Sequence, residues 1–193
     1  MEVSILLFDN FETLDAFGPV EILGKIDNYV IKYYSLNGGI IVSAQNTPIV
    51  TERSDIIPPN NLLVIPGGIG TRELVDNKEF INKLKVCANE SSFCLTICTG
   101  SALLAKTGLL NGIHATSNKK AFDWVKSVNE NVDWIRKARW VVDGKFYTSS
   151  GVSAGMDMTL GFIRDQFSEQ LAKDIANHIE YIWYSDSSCD LFV

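Results

Sequence analysis

The chain has 193 residues, 46% apolar and 21% charged, which is the usage of an ordinary globular protein and not of a disordered or fibrous one. Seventeen Lys and Arg against 23 Asp and Glu give a formal charge of -6, so bulk charge draws neither nucleic acid nor an anionic membrane. No predominantly apolar stretch reaches the roughly 18 residues of a membrane span; the uncharged run Ser91 to Ala105 is interrupted by Ser, Thr and Gly.

The first residues lead directly into Val3-Ser4-Ile5-Leu6-Leu7-Phe8 with no basic leader or small-residue cleavage site, so secretion is not expected. Alternating apolar runs and helical patterns along the chain predict a layered α/β domain with a mainly parallel sheet. Strands are expected at about 3–8, 29–35, 62–65 and 93–97, and helices at about 16–24, 78–89, 100–106, 119–127, 153–164 and 168–183. Ile40-Ile41-Val42 and Thr47-Pro48-Ile49-Val50 flank a polar turn and predict a small hairpin, and Trp140 to Tyr147 around Asp143-Gly144 predicts a second, accessory ribbon. In the last helix Phe167, Leu171, Ile175, Ile179 and Ile182 recur every three or four residues, which makes them a core-facing stripe with His178 at its border. No repeat, linker or low-complexity tract divides the chain, so residues 1–193 are read as one domain without a separate DNA-binding module.

Chemistry is scarce enough to be located. Cys87, Cys94, Cys98 and Cys189 form no CxxC pair, and no Cys or His near Cys94 and Cys98 completes a zinc set, so reduced thiols in a cytoplasm fit best and no metal is expected. His114 and His178 are the only two histidines. Phe93 to Leu104 reads as buried strand, abrupt turn and helix, with Cys98 at the turn, where free N–H groups and the helix dipole favour a thiolate; the alternative is a small buried apolar Cys. Ile65-Pro66-Gly67-Gly68 follows another buried strand, and its two amides could serve an oxyanion hole or merely make a tight turn. Asp15 lies just after the first strand, as a proton-transfer group or as a helix N-cap. Glu21 reads as first-turn charge, Arg136, Lys137 and Arg139 as a solvated cationic face, and Cys189 as exposed.

Taken in order, Asp15 to Glu21, Ile65 to Gly68, Ile97-Cys98-Thr99-Gly100-Ser101, Gly108 to Gly112 with Ala115-Thr116, and Thr148 to Asp157 resemble the DJ-1/PfpI (ThiJ) family of the class I glutamine amidotransferase-like superfamily. The resemblance is strongest to its isonitrile hydratase-like branch, whose domain also serves as the ligand domain of some AraC-type regulators. It implies a flavodoxin-like three-layer sandwich, a homodimer, and no cofactor. It also implies Cys98 as nucleophile, Asp15 as its acidic partner and Thr99 beside the thiol, with Gly67, Gly68 and Thr99 supplying backbone donors and Asn118, Gly151 and Val152 lining the substrate site. Family proteases carry His directly after the nucleophile, and Thr99 stands there instead, so a peptidase or amidase reading is poor. Ser117-Asn118-Lys119 departs from the branch's usual Thr-His-Trp; Asn118 is a neutral amide that cannot titrate near neutral pH.

The function implied is a cofactor-free, cysteine-dependent hydratase or hydrolase acting on a small carbon–nitrogen compound such as an isonitrile. Asn118 motivates the alternative of a redox-sensing or ligand-binding module with a reactive cysteine. A transcription regulator ranks below both, because no helix-turn-helix segment follows the domain.

Overall fold

The computed structural model describes residues 1–193. In chain order the elements are β1 (Glu2–Leu6), α1 (Thr13–Leu23), β2 (Val30–Ser35), β3 (Gly39–Val42), β4 (Pro48–Arg53), β5 (Leu62–Ile65), α2 (Thr71–Leu74), α3 (Lys78–Glu90), β6 (Phe93–Thr96) and α4 (Gly100–Lys106). There follow β7 (His114–Ala115), α5 (Phe122–Val128), β8 (Asp133–Trp134), β9 (Trp140–Asp143), β10 (Phe146–Ser149), α6 (Val152–Gln166) and α7 (Glu169–His178).

Eight strands form one sheet in the order β3-β4-β2-β1-β5-β6-β10-β9. The inner pairs are parallel, and only the β3–β4 and β9–β10 pairs at the two ends are antiparallel. The four residues of β5 are aliphatic and all buried, as a central parallel strand covered on both faces requires. Helices α1, α6 and α7 pack together, and α2, α3 and α5 gather round α4, giving the two outer layers of a flavodoxin-like sandwich. Both predicted hairpins are present, and each continues the main sheet: β4 pairs with β2, and β10 pairs with β6.

Three expectations need correction. The last helix stops at His178, because Glu180 adopts φ 52° and the Tyr181 amide donates back to Ala176 O at 2.8 Å, a closing turn that ends helices. Ile182 is therefore 91% exposed, Phe167 is exposed, and His178 lies in solvent and not on the apolar face. Arg139 does not belong to a solvated face: it is buried, its Nε donating to Asp157 Oδ2 at 2.8 Å and its Nη1 lying 3.6 Å from Asp190 Oδ2. Glu21 sits beyond the first turn of α1 and pairs with Lys25 across one helical turn.

Candidate active site

Strand β6 ends at Thr96 and α4 begins at Gly100, so the chain must reverse within three residues. Cys98 occupies that turn with φ 55°, a left-handed conformation that a non-glycine residue adopts only under constraint from its surroundings. The constraints are visible. The Cys98 amide donates to Ser150 O at 3.0 Å, and Cys98 O accepts from Ser117 Oγ at 2.8 Å and Ser101 Oγ at 3.1 Å. Ser101, Ser117 and Ser150 each act through an ordinary hydrogen bond made from one turn away or from a segment distant in sequence, a pattern with no local signature.

Asp15 is fully buried in the first turn of α1 and is not its N-cap, which is Glu12. Its Oδ2 accepts the Gly67 amide at 2.9 Å, while Oδ1 is buried without a well-formed hydrogen bond. Burial pushes the Asp15 carboxyl up to about 7, against the pull of the Gly67 amide; the nearby Glu12 charge adds to the rise, and the Cys98 side chain opposes it.

The Cys98 thiol is pushed upward as well, first by burial and then by the Asp15 charge; the Thr99 amide, the Asn118 side chain and the Thr99 hydroxyl favour the thiolate but do not prevail. The expected helix field is too small to win here, since α4 has only seven residues and the thiol is desolvated. Cys98 and Asp15 are thus a buried pair in which burial disfavours the charged form of each member. A protonated Asp15 can donate to sulfur, and that state also removes the carboxylate charge that opposes thiolate formation.

Both glycines of the Gly67-Gly68 turn are spatially required. A Cβ on Gly67 would lie 2.6 Å from Thr99 N and 2.9 Å from Asp15 Oδ2, and one on Gly68, at φ 130°, would lie 2.5 Å from Asn10 O. Their amides, expected to face a substrate, are engaged inside the protein: Gly67 holds Asp15, and Gly68 donates to Thr99 Oγ1 at 3.0 Å. Thr71 Oγ1 donates to the same Thr99 oxygen at 3.2 Å. The turn therefore positions the acid and Thr99, leaving the Thr99 amide and the Asn118 amide group as donors on the sulfur side. Asn118 Oδ1 accepts from the Ala121 amide at 3.1 Å, which fixes the side chain with its Nδ2 toward the site.

Asn118, Gly151 and Val152 also line a cleft of about 330 Å³ beside the elbow, together with Ser150 and Arg139. A larger cleft of about 470 Å³ opens near the carboxyl ends of β1 and β2 and contains none of the predicted site residues. His114 is exposed, its Nδ1 lying 3.0 Å from Asp143 Oδ2 on the β9–β10 hairpin, away from Cys98. No group of three or more His, Cys, Asp or Glu side chains is placed so that it could hold a metal ion, and no helix is long and apolar enough to cross a membrane.

The raised Asp15 carries a stability signature. Its carboxyl ionises near 3.8 in an unfolded chain and near 7 here, so between those values the folded protein keeps a proton that the unfolded chain has released. Stability from this group falls as pH rises through that window. Asp15→Asn, which cannot ionise, is expected to melt about 5 °C above the wild type at pH 8 and to lose that advantage at pH 4. Thermal melts at both pH values check this; an offset that does not change with pH would mean that Asp15 is not held protonated.

Comparison with known proteins agrees with the architecture. The chain is 24% identical over 182 residues to isonitrile hydratase of Pseudomonas putida, covering 94% of this chain and 78% of that protein. It is 25% identical over 186 residues to the HTH-type transcriptional regulator GbdR of Pseudomonas aeruginosa, spanning half of that protein's length and 93% of its own. Among solved structures, a THiJ/PfpI family protein from Pseudomonas syringae superposes with a TM-score of 0.85 at 24% identity, covering 93% of this chain and 74% of that one. DJ-1beta of Drosophila melanogaster superposes with a TM-score of 0.76 at 17% identity, covering 94% and 98%. Residues 1–165 match the DJ-1/PfpI family, and the chain belongs to it.

Proposed function

We propose that this protein is a cofactor-free, cysteine-dependent hydratase acting on a small carbon–nitrogen compound of the isonitrile type. The observation that carries the reading is the pairing of Cys98, strained at the strand–helix elbow, with a buried Asp15 whose proton affinity is raised to about 7. Similarity to isonitrile hydratase supports the substrate class.

Asp15 as carboxylate takes the Cys98 thiol proton as sulfur bonds to the terminal isonitrile carbon, and passes that proton to the same carbon, giving an S-linked thioimidate. Asp15 then takes a proton from water as its oxygen bonds to the carbon, and returns that proton to nitrogen. The hydroxyl proton passes to Asp15 as the C=O forms, and Asp15 hands it to sulfur as the C–S bond breaks. The sum is isonitrile plus water giving an N-substituted formamide, with both side chains restored. Asn118 and the Thr99 amide stabilise the negative charge on sulfur. Gly151 and Val152 help to shape the wall on the cleft side.

Incubation with an aliphatic isonitrile in ¹⁸O water, followed by mass spectrometry, tests this reading: formamide carrying one ¹⁸O is expected. Absence of formamide above the protein-free rate across a series of alkyl and aryl isonitriles would defeat it. A second reading, a thiol that senses oxidant, draws on the same protonated Asp15, which could hold a sulfinate; peroxide that modifies Cys98 in preference to Cys87, Cys94 and Cys189 would favour it. Homodimerisation, implied by the family, and a cytoplasmic location, which suits four free thiols, complete the proposal.

A further inference from the structure

Of the five arginines, four are paired with a carboxylate: Arg53 with Asp55, Arg136 with Asp123, Arg139 with Asp157, and Arg164 with Asp165. Arg72 is the exception. Its guanidinium has no carboxylate within ion-pair distance and lies with Cζ 3.4 Å from the centroid of the Trp124 ring. Stacking uses the flat face of the group and leaves its N–H edge unspent. Among the arginines, this half-buried guanidinium alone has no hydrogen-bond acceptor from the protein, and the Trp124 ring is its one compensating partner.

Its place in the fold is specific. Arg72 lies in α2, next to Thr71, whose hydroxyl donates to Thr99, the residue that follows the nucleophile. Trp124 lies in α5, the helix that follows the Asn118 turn. Both α2 and α5 pack against α4, the helix that begins two residues after Cys98, so the Arg72–Trp124 stack joins two elements next to the elbow.

We infer that Arg72 is a specificity residue that receives a carboxylate borne by the substrate, so that the preferred compound is a small carbon–nitrogen electrophile with an anionic tail. This rests on the reading of Cys98 as a nucleophile toward a small electrophile and narrows it. A guanidinium edge matches a planar carboxylate bidentately, and Trp124 keeps that edge from folding back onto the protein. A lysine would keep the charge and lose the fork.

Alkylation isolates this from turnover. Iodoacetate and iodoacetamide have nearly the same size and leaving group and differ in charge, so the ratio of their rates at Cys98 cancels both thiol accessibility and thiolate fraction. Rates would be read by peptide mass spectrometry, with Cys189 in the same protein as the reference. The ratio at Cys98, normalised to Cys189, is expected to fall about ten-fold in Arg72→Met and to be partly restored in Arg72→Lys. An unchanged ratio in a folded Arg72→Met variant overturns the inference, as does an equal change in both rates, which would make Arg72 a group that tunes the thiol. If the ratio falls but no isonitrile is hydrated, the anion site stands and the hydratase reading fails. If isonitriles are hydrated while Arg72→Met leaves the ratio unmoved, the reverse holds.

Discussion

Cys98→Ala is expected to lower kcat/KM for an isonitrile by about 10⁴-fold or more, with a melting temperature close to that of the wild type. The size of the loss follows from the site's composition. Nothing else within it can serve as a nucleophile: the Thr99 hydroxyl is held by Gly68 and Thr71, and the Ser101 and Ser117 hydroxyls are spent on Cys98 O. Cys98→Ser keeps the size but places a weakly acidic hydroxyl in a site that already disfavours the charged form, so it is expected to be nearly as inactive. The near-neutral effect on stability has its own reason. Cys98 is held by its backbone, and that network of amide and serine hydrogen bonds does not depend on the side chain. Steady-state kinetics beside a thermal melt check both statements, and turnover within ten-fold of the wild type in Cys98→Ala would place the reaction elsewhere.

Local signals carried the part of this site that was legible in sequence. The strand–turn–helix around Cys98 is written in consecutive residues, and α4 begins and ends where the pattern predicted, at Gly100 and Lys106. The Asp143-Gly144 turn likewise marked the β9–β10 hairpin, although its membership in the main sheet depends on pairing with β6, which no local motif encodes. What remained illegible was the partner of each group. Gly67 and Gly68 were visible as two amides at a strand end, but which oxygens accept them depends on Asp15, 52 residues earlier, and Thr99, 31 residues later. The helix field at Cys98 follows from its position in the chain, but its proton affinity is set by burial and by Asp15, both products of tertiary packing. Charge adjacency of Arg139 with Arg136 and Lys137 suggests a surface, whereas its carboxylates come from α6 and from the segment beyond α7.

That buried arginine leads to the largest expected change in stability. Asp157 is fully buried: Oδ2 accepts from Arg139, and Oδ1 accepts from Tyr181 Oη at 3.1 Å and from the Tyr184 amide at 2.9 Å. The cluster therefore fastens the aromatic segment after α7 to α6, and the Arg139 backbone continues it, since Arg139 O accepts from Ser150 N at 2.8 Å and Ser150 O holds the Cys98 amide. Arg139→Met strands Asp157 as a buried carboxylate without a cation and removes the ion pair of Asp190, and is expected to cost about 3–5 kcal/mol, or roughly 10 °C in melting temperature. Burial already raises the Asp157 carboxyl despite Arg139, and losing the guanidinium raises it further. The folded variant then keeps a proton that the unfolded chain releases near 3.8, so its deficit against the wild type grows as pH rises from 4 to 8. Asp157→Asn in the Arg139→Met background keeps an acceptor for Tyr181 and Tyr184 while removing one stranded charge, and should recover about 1–2 kcal/mol at pH 8. A double-mutant cycle by urea denaturation measures that recovery. Additive losses, with no pH dependence in Arg139→Met, would show that the cluster acts through packing alone; recovery confined to high pH would show that the guanidinium's task is to keep the buried Asp157 carboxylate charged behind the elbow that carries Cys98.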